Sequence, residues 1–462
     1  MAWALPHVRR VGEAGEPAKE VGYDRRRPEQ SVLHEAFRRG WPAVASRVPT
    51  RVKLEVERFL TCGDLRFGFV EVSCDACADS RLVAYCCKGR GWCPSCTTRR
   101  AVETGALLES LLPRIAHRQW TLSLPFSVRF NVVKRPTLLK RLEVRLVKAV
   151  WRWQRAEARR RGAKGVLTGG GVCFWQWFGS ALQLTPHLHL LVPEAVWQQD
   201  GTVVTLSPPS DEEVTRLLAR VLRQAKKDWA DLDAAWPEDE YEELQQRAIQ
   251  ERLGFLESPA PHSRARRLAV LQGFSLHADT AAHGHDRQGL ERLARYGARG
   301  PVAESRLRRL DDGRYEYSPK KGVAFTLTAE ALVRRLVALL PPARRHLTSF
   351  HGAYAPNANL RSLVTQQPAE PTPSAEPEPG PGSTPAPGAA PKPERPRLDW
   401  ASLHQHTFGT DVLRCPCGGR RSIRSLHSTR KQAEARLAEL GVTLPSRVLP
   451  PATAPPQLPL AL

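Results

Sequence analysis

Hydrophobic residues recur along the chain at two periods. In "TLLKRLEVRLVKAVWRWQRAEARRRG" (137–162), Leu138, Leu142, Leu146 and Val150 return every four positions among Lys and Arg, the pattern of a long basic helix. "DEEVTRLLARVLRQAKKDW" (211–229) predicts an amphipathic helix entered through an acidic first turn. "PEDEYEELQQRAIQERLGFL" (237–256) predicts a more acidic one, "TAEALVRRLVALLPP" (328–342) another, and residues 32–60 two short helices around a proline break. Elsewhere the pattern is that of strands. "RQWTLSLPFSVRF" (118–130) has strand character, "GGVCFWQWFGSALQLTPHLHLLVPEAVW" (170–197) predicts two strands joined by a short turn, and "RYEYSPKKGVAFTLT" (314–328) a hairpin-like pair.

The 462 residues suffice for two or three domains, and 41% hydrophobic content allows a sizeable core. Residues 1–31 are charged and Gly/Pro-rich, an expected flexible basic arm. Residues 366–398 are rich in Pro, Ala and Glu and predict a semi-rigid linker, followed by a small C-terminal tail (399–462) that carries "CPCGG". Between arm and linker we expect a zinc-binding N-terminal domain over 32–105 and a larger domain over 106–365. Lys plus Arg number 69 against 47 acidic residues, a formal net charge of +22, which points to a polyanionic partner, nucleic acid first. An anionic membrane surface is the competitor, but no apolar run approaches the 20 or so residues needed to span a bilayer. "MAWALPHVRR" lacks a charged region followed by an apolar one, so the expected location is the cytoplasm, with the nucleoid.

Eight of the ten cysteines are clustered. Cys74 and Cys77, then Cys93 and Cys96, make two C-x2-C pairs separated by fifteen residues, the spacing of a zinc ribbon. Four thiolates in a tetrahedron suit a closed structural Zn²⁺ site. Cys86 and Cys87 lie in the intervening loop, as replacement ligands or as buried thiols. Cys415 and Cys417 offer two sulfurs near His404 and His406, which fits a second zinc or a turn with free thiols.

"LTPHLHLLVP" (184–193) places His187 and His189 on one face of an expected strand. Taken alone, such a pair is more often two satisfied or surface histidines than a metal site. A metal reading requires a third ligand. Gln183 shares the parity of the pair, although Pro186 intervenes. "DRQGLERLARYGARGP" (286–301) predicts a short helix with Asp286 at its N-cap and Gly300-Pro301 at its end. On a helical wheel, Leu290, Leu293 and Gly297 form one stripe and Arg292, Arg295 and Arg299 a second, with Tyr296 between them. The plain reading is a packed ring with its hydroxyl at the surface. The sharper one puts the hydroxyl beside three guanidiniums able to bind a phosphodiester.

"YCCKGRGWCPSCTTRR", "RQWTLSLPFSVRF", "FGSALQLTPHLHLLV", "LHADTAAHGHDRQGLERLARYGARGPVAESRL" and "FHGAYAPNANLR" together resemble, in content and order, rolling-circle transposases of the insertion-sequence-91 type. The resemblance spans residues 32 to about 425, linker excepted. It implies an α+β fold, in which a small zinc-ribbon domain precedes an HUH nuclease domain, an antiparallel sheet with flanking helices. It also implies that His187 and His189 bind a catalytic Mg²⁺ or Mn²⁺. Tyr296 would be the nucleophile that nicks and rejoins single-stranded or hairpin DNA ends through a 5′-phosphotyrosine, with Arg292, Arg295 and Arg299 on the DNA. Some members carry a second tyrosine four residues earlier; Arg292 stands there, so a single-tyrosine version, as in the related common-region elements, fits better. The chain contains no G-x4-G-K-[ST], in keeping with strand transfer that needs no ATP. A plasmid replication initiator or relaxase would share the H-x-H pair and the tyrosine, but the cysteine ribbon and tail favour a transposase. A zinc-dependent DNA-binding protein without catalysis is the alternative of a different class.

Overall fold

The computed structural model describes residues 28–229, 235–250, 266–320, 322–365 and 398–444. The expected arm up to residue 27, the linker apart from residue 398, and the acidic helix beyond residue 250 lie outside the described residues.

The N-terminal part opens with α1 (Val32–Gly40) and α2 (Thr50–Leu60) on either side of the break at Pro42. Ser31 caps α1 by accepting the His34 N–H. A hairpin of β1 (Phe69–Cys74) and β2 (Ser80–Ala84) follows, then α3 (Pro94–Leu111), with proline at its start, where a missing N–H costs nothing. α3 runs without a break through residue 105, where a domain boundary was expected.

Next come β3 (His117–Ser123), α4 (Phe126–Lys134) and α5 (Pro136–Arg160). The strand expected through residue 130 stops at Ser123, because extended Pro125 (φ −64°) caps a helix instead. β4 (Gly170–Phe178), β5 (Leu184–Pro193), β6 (Ala195–Trp197) and β7 (Val203–Thr205) lead to α6 (Asp211–Trp229) and α7 (Glu240–Gln250). Then follow β8 (Leu268–Leu271), β9 (Phe274–Ala282) and α8 (Arg287–Ala298), which carries Tyr296. β10 (Leu307–Arg309), β11 (Tyr315–Tyr317) and β12 (Phe325–Leu327) form a small sheet ahead of α9 (Ala329–Ala338), β13 (Thr348–Gly352) and α10 (Arg361–Thr365). The C-terminal segment holds α11 (Trp400–Phe408), β14 (Arg421–His427) and α12 (Arg430–Glu439).

The fold is α+β, as expected. Its main sheet is antiparallel throughout, ordered β13-β4-β5-β3-β9-β8. Alternation along β4 and β5 divides the core in two. Cys173, Trp175, Leu188 and Leu190 share one core cluster with Leu138, Leu142 and Leu146 of α5. Val172, Phe174 and Leu191 share the other with Leu108 of α3 and with Leu290 and Ala294 of α8. The H-x-H pair has the parity of Leu191 and therefore faces the tyrosine helix. β13 is tied to the sheet through Glu143 of α5, a fully buried carboxylate that accepts from His351, Ser349, Lys140 and Trp175. The C-terminal segment does not stand apart: β14 pairs with β1 in a second sheet, β14-β1-β2.

Candidate active site and metal centres

β5 lies between β4 and β3, so both of its edges are paired. The rings of His187 and His189 stand 4.8 Å apart, at 74°. Burial pushes His187 down to about 4; the charges of Arg299 and Arg129 act in the same sense, although Nδ1–H donates to the Thr185 carbonyl (2.8 Å). Burial also holds His189 well below its ordinary value, aided by His187 and Arg299. Both imidazoles are thus neutral near pH 7, the form that ligates metals. The bond from His187 Nδ1 leaves its Nε2 as the lone-pair nitrogen. His189 Nδ1 meets Thr121 Oγ1 at 3.1 Å, and its buried Nε2 has no hydrogen-bond partner. Buried polar atoms are rarely left bare, so this nitrogen marks a place for a ligand.

A further bare oxygen donor lies on the neighbouring strand. Gln183 sits in the turn before β5, where its carbonyl accepts from the Gly179 N–H (2.9 Å). The residue directly opposite His187 is Gln176 of β4, which is 1% exposed. Its Nε2 donates to the Tyr296 (2.6 Å) and Gly297 (3.1 Å) carbonyls, an arrangement that fixes the amide, since its oxygen cannot donate. Oε1 is then left buried without a partner. Among the described residues, no third His, Cys, Asp or Glu gathers with the two histidines. Two neutral imidazoles and an amide oxygen form a donor set that fits a divalent cation with further positions open. The sequence signal for Gln176 is the alternation in "CFWQW", which puts Phe174 and Gln176 on one face; parity along β5 alone does not reach it.

α8 lies close against this face. A Cβ on Gly297 would fall 2.6 Å from the Phe174 ring, so a larger residue would lift the helix off the sheet. The Tyr296 ring packs edge-on to His189, with centroids 5.5 Å apart, and the residue is 42% exposed. The Arg299 guanidinium lies 4.6 Å from the Tyr296 ring centre and 5.1 Å from that of Phe178, and its buried Nε has no partner. The other two arginines go elsewhere. Arg292 pairs with Asp286 (3.4 Å), while Arg295 pairs with Glu291 (3.3 Å) and lays its stem over Gly105 of α3. Asp286 caps α8 as expected, but the helix ends at Ala298 and Arg299 is extended. Beside Arg299, a cleft between the N-terminal part and the sheet is lined by Arg90, Thr97, Arg100, Phe178 and Gly300. Arg129, whose charge reaches His187 from α4, is a cation the sequence reading missed within "PFSVRF".

The cysteines form two knots, not the single ribbon expected from Cys74, Cys77, Cys93 and Cys96. Cys93 and Cys96 gather with Cys62 and Cys87; Cys74 and Cys77 gather with Cys415 and Cys417. The reason is geometric. The first C-x2-C closes one end of the β1–β2 hairpin, and β2 then carries the chain away for five residues, roughly 16 Å, before the second. In the first knot Sγ–Sγ separations are 3.9 Å (Cys62–Cys96), 3.7 Å (Cys62–Cys93) and 3.3 Å (Cys87–Cys96). Around a tetrahedral Zn²⁺, with Zn–S about 2.3 Å, sulfurs sit about 3.8 Å apart, so the set fits zinc. Hydrogen bonds from Cys62, Cys86, Cys87 and Cys93 hold the Cys96 thiol well below its ordinary value. Of the two loop cysteines, Cys87 enters the knot, while Cys86 takes a contact from Arg99 (3.4 Å). Cys62, a lone cysteine after α2, carried no spacing signal.

Cys93 and Cys96 bracket the start of α3, and α3 packs along α8, where Gly105 meets Arg295 and Glu291 and Thr97 meets Gly300. The first knot therefore anchors the helix that backs the tyrosine helix.

Residues 34–124 match a family model described as "Transposase zinc-binding domain", and residues 170–361 one described as "Putative transposase". A protein of Sinorhizobium fredii titled "Putative transposase y4qJ" is 22% identical over 336 residues, which cover 70% of this chain and 80% of that protein. No solved structure matches the chain. Among the described residues, no helix is long and apolar enough to cross a membrane. A zinc-binding domain built on clustered cysteines precedes the transposase domain, and the two matches stand in the order seen in the sequence blocks: together they support an insertion-sequence-91-type transposase.

Proposed function

We propose that this transposase nicks and rejoins single-stranded or hairpin DNA at the ends of a mobile element, with Tyr296 as nucleophile. The observation that carries the reading is the setting of Tyr296: its ring packs on His189 of the neutral pair and under the Arg299 guanidinium, and its carbonyl accepts from Gln176, whose Oε1 is left bare. In the forward step a bond forms between Tyr296 Oη and the scissile phosphorus as the P–O3′ bond breaks. The phenolic proton passes to solvent and the departing 3′ oxygen takes one up. The product is a 5′-phosphotyrosine and a free 3′-OH. Rejoining is the reverse, with an incoming 3′-OH as nucleophile, so no nucleotide hydrolysis is needed.

His187 Nε2, His189 Nε2 and Gln176 Oε1 would hold Mg²⁺ or Mn²⁺. When bound, the cation polarises the scissile phosphate. Arg299, aided by Arg129, offsets charge on the phosphate oxygens. Gln176 also ties the backbone of the tyrosine turn to the metal strand, so nucleophile and ligands move together. Arg292 and Arg295, paired with Asp286 and Glu291, would serve backbone phosphates farther along the strand rather than the scissile one. The many cations make binding steeply salt-dependent.

The test is a labelled single-stranded oligonucleotide carrying an element end, incubated with Mn²⁺. The wild-type chain yields a covalent protein–DNA adduct, and Tyr296→Phe yields none. In Mn²⁺ titrations without DNA, His187→Ala abolishes binding at this site, and Gln176→Leu weakens it about tenfold or more. Binding of DNA with no adduct across several sequences and metals would overturn the reading and leave a zinc-dependent DNA-binding protein. Element-end sequences flanking the gene separate a transposase from a plasmid initiator or relaxase.

A further inference from the structure

We propose that Cys74, Cys77, Cys415 and Cys417 hold a second structural zinc, a clasp that makes the C-terminal segment part of the N-terminal module. The matched zinc-binding region ends at residue 124, far short of Cys415. The inference is independent of the chemistry proposed for Tyr296.

The geometry begins with strand pairing. β14 runs antiparallel to β1, with Arg421 opposite Cys74. The C-x2-C that leaves β1 and the C-x-C that enters β14 therefore meet at the same end of the sheet. Their sulfurs lie 3.6 Å apart for Cys74–Cys417 and 3.6 Å for Cys77–Cys415, with all four within 4.8 Å of one another. Those spacings match the edge of a zinc–thiolate tetrahedron, about 3.8 Å, and are far from the disulfide length of about 2.05 Å. The turns are shaped for sulfur. The Gly419 N–H donates to Cys417 Sγ (3.4 Å), and a Cβ on Gly419 would stand 3.0 Å from Cys74 Sγ and 3.3 Å from Cys417 Sγ. Gly418 turns with φ +88°. The buried Arg421 joins the two turns, donating to Asp79 after the first and to the Arg414 carbonyl before the second.

The C-terminal segment needs such a tie because, among the described residues, it has no core of its own. Ala433 and Leu437 are buried against Leu65, Phe69 and Leu82, while Ala401 and Val412 are buried against Val83. Small modules of this kind commonly take their folding free energy from a metal. The clasp joins positions 338 and 343 residues apart, and holding such distant positions together opposes the entropy of a long loop.

The experiment uses the full-length chain, purified under reducing conditions. Elemental analysis is expected to find two zinc ions per chain, and the Cys415→Ser/Cys417→Ser double variant is expected to keep one. In that variant amide exchange across residues 421–427 accelerates about tenfold or more, while α3 keeps its protection. Cobalt titration of the wild-type chain gives a second measure, one that reports thiolate ligation directly: the sulfur-to-cobalt absorbance should saturate at two equivalents, and at one in the double variant. Two zincs retained in the double variant, a single zinc in the wild type, or Cys74–Cys417 and Cys77–Cys415 recovered as disulfides would overturn the proposal.

Discussion

The two cysteine knots share a ligand set and differ in their surroundings. In the first, Cys62, Cys93 and Cys96 are buried; in the second, Cys77 and Cys417 are exposed. The first lies at the root of α3, which presses on the tyrosine helix. The second lies on the rim and joins the two ends of the described chain. The same chemistry thus serves two tasks. A knot buried at the root of the helix that backs Tyr296 would set the position of a side chain, whereas a knot at the end of two paired strands would set only which segments stay together.

The largest effect that would break this comparison is expected at Cys96. With Cys96→Ser the first zinc should be lost and α3 should loosen from α8, lowering adduct formation about a hundredfold, as an ångström-scale misplacement of a nucleophile can. The clasp variant should stay within about threefold of the wild-type rate, as no catalytic geometry depends on it. Oligonucleotide adduct assays on both variants, each with its zinc content measured, provide the check. Equal losses of nicking in both would erase the distinction.

A smaller effect tests the route from knot to tyrosine. A Cβ at Gly105 would stand 2.6 Å from Arg295 Cγ and 3.0 Å from Glu291 Cγ, both near the roots of their side chains. Gly105→Leu should therefore push α8 outward and cut adduct formation about tenfold. The zinc content should not change. Loss of zinc together with activity would mean that the seam between the helices supports the knot, rather than the reverse.

What could be read in the sequence divides along the same line. The H-x-H strand, the Asp286 cap, the long basic helix and the presence of thiolate metal chemistry follow from local spacing, and local spacing is legible. The partners of the cysteines are not, since Cys74 and Cys77 find Cys415 and Cys417 through the β1–β14 register, which no local pattern encodes. Gln176 was missed for the same reason. It lies across a strand pair from His187, and only the pairing of β4 with β5 places it opposite the histidine. The arginine stripe is legible only in part: a helical wheel puts three cations on one side, and in the fold Arg292 pairs with the Asp286 cap, Arg295 pairs with Glu291 of the same helix, and Arg299, just past the helix end, lies at the ring.

The smallest expected effect concerns the seam beside the clasp. Burial alone would raise the Glu71 carboxyl, yet hydrogen bonds from Arg436 (3.0 Å) and Ser425 (3.0 Å) bring it below its ordinary value. A carboxylate depressed in the folded state stabilises it fully above the unfolded value, near 4.3, and loses that contribution as pH falls through the folded value. Arg436→Gln should therefore destabilise the chain by about 1–3 kcal/mol at pH 7, as for a charged hydrogen bond with little solvent screening. The difference from wild type should shrink toward pH 3. Thiolate–zinc bonds also weaken in acid, but they do so in both proteins, so the difference between the two melting curves isolates the ion pair. A difference that grew on acidification would place the charge of Glu71 elsewhere and would leave the clasp as the stronger tie between β1 and β14.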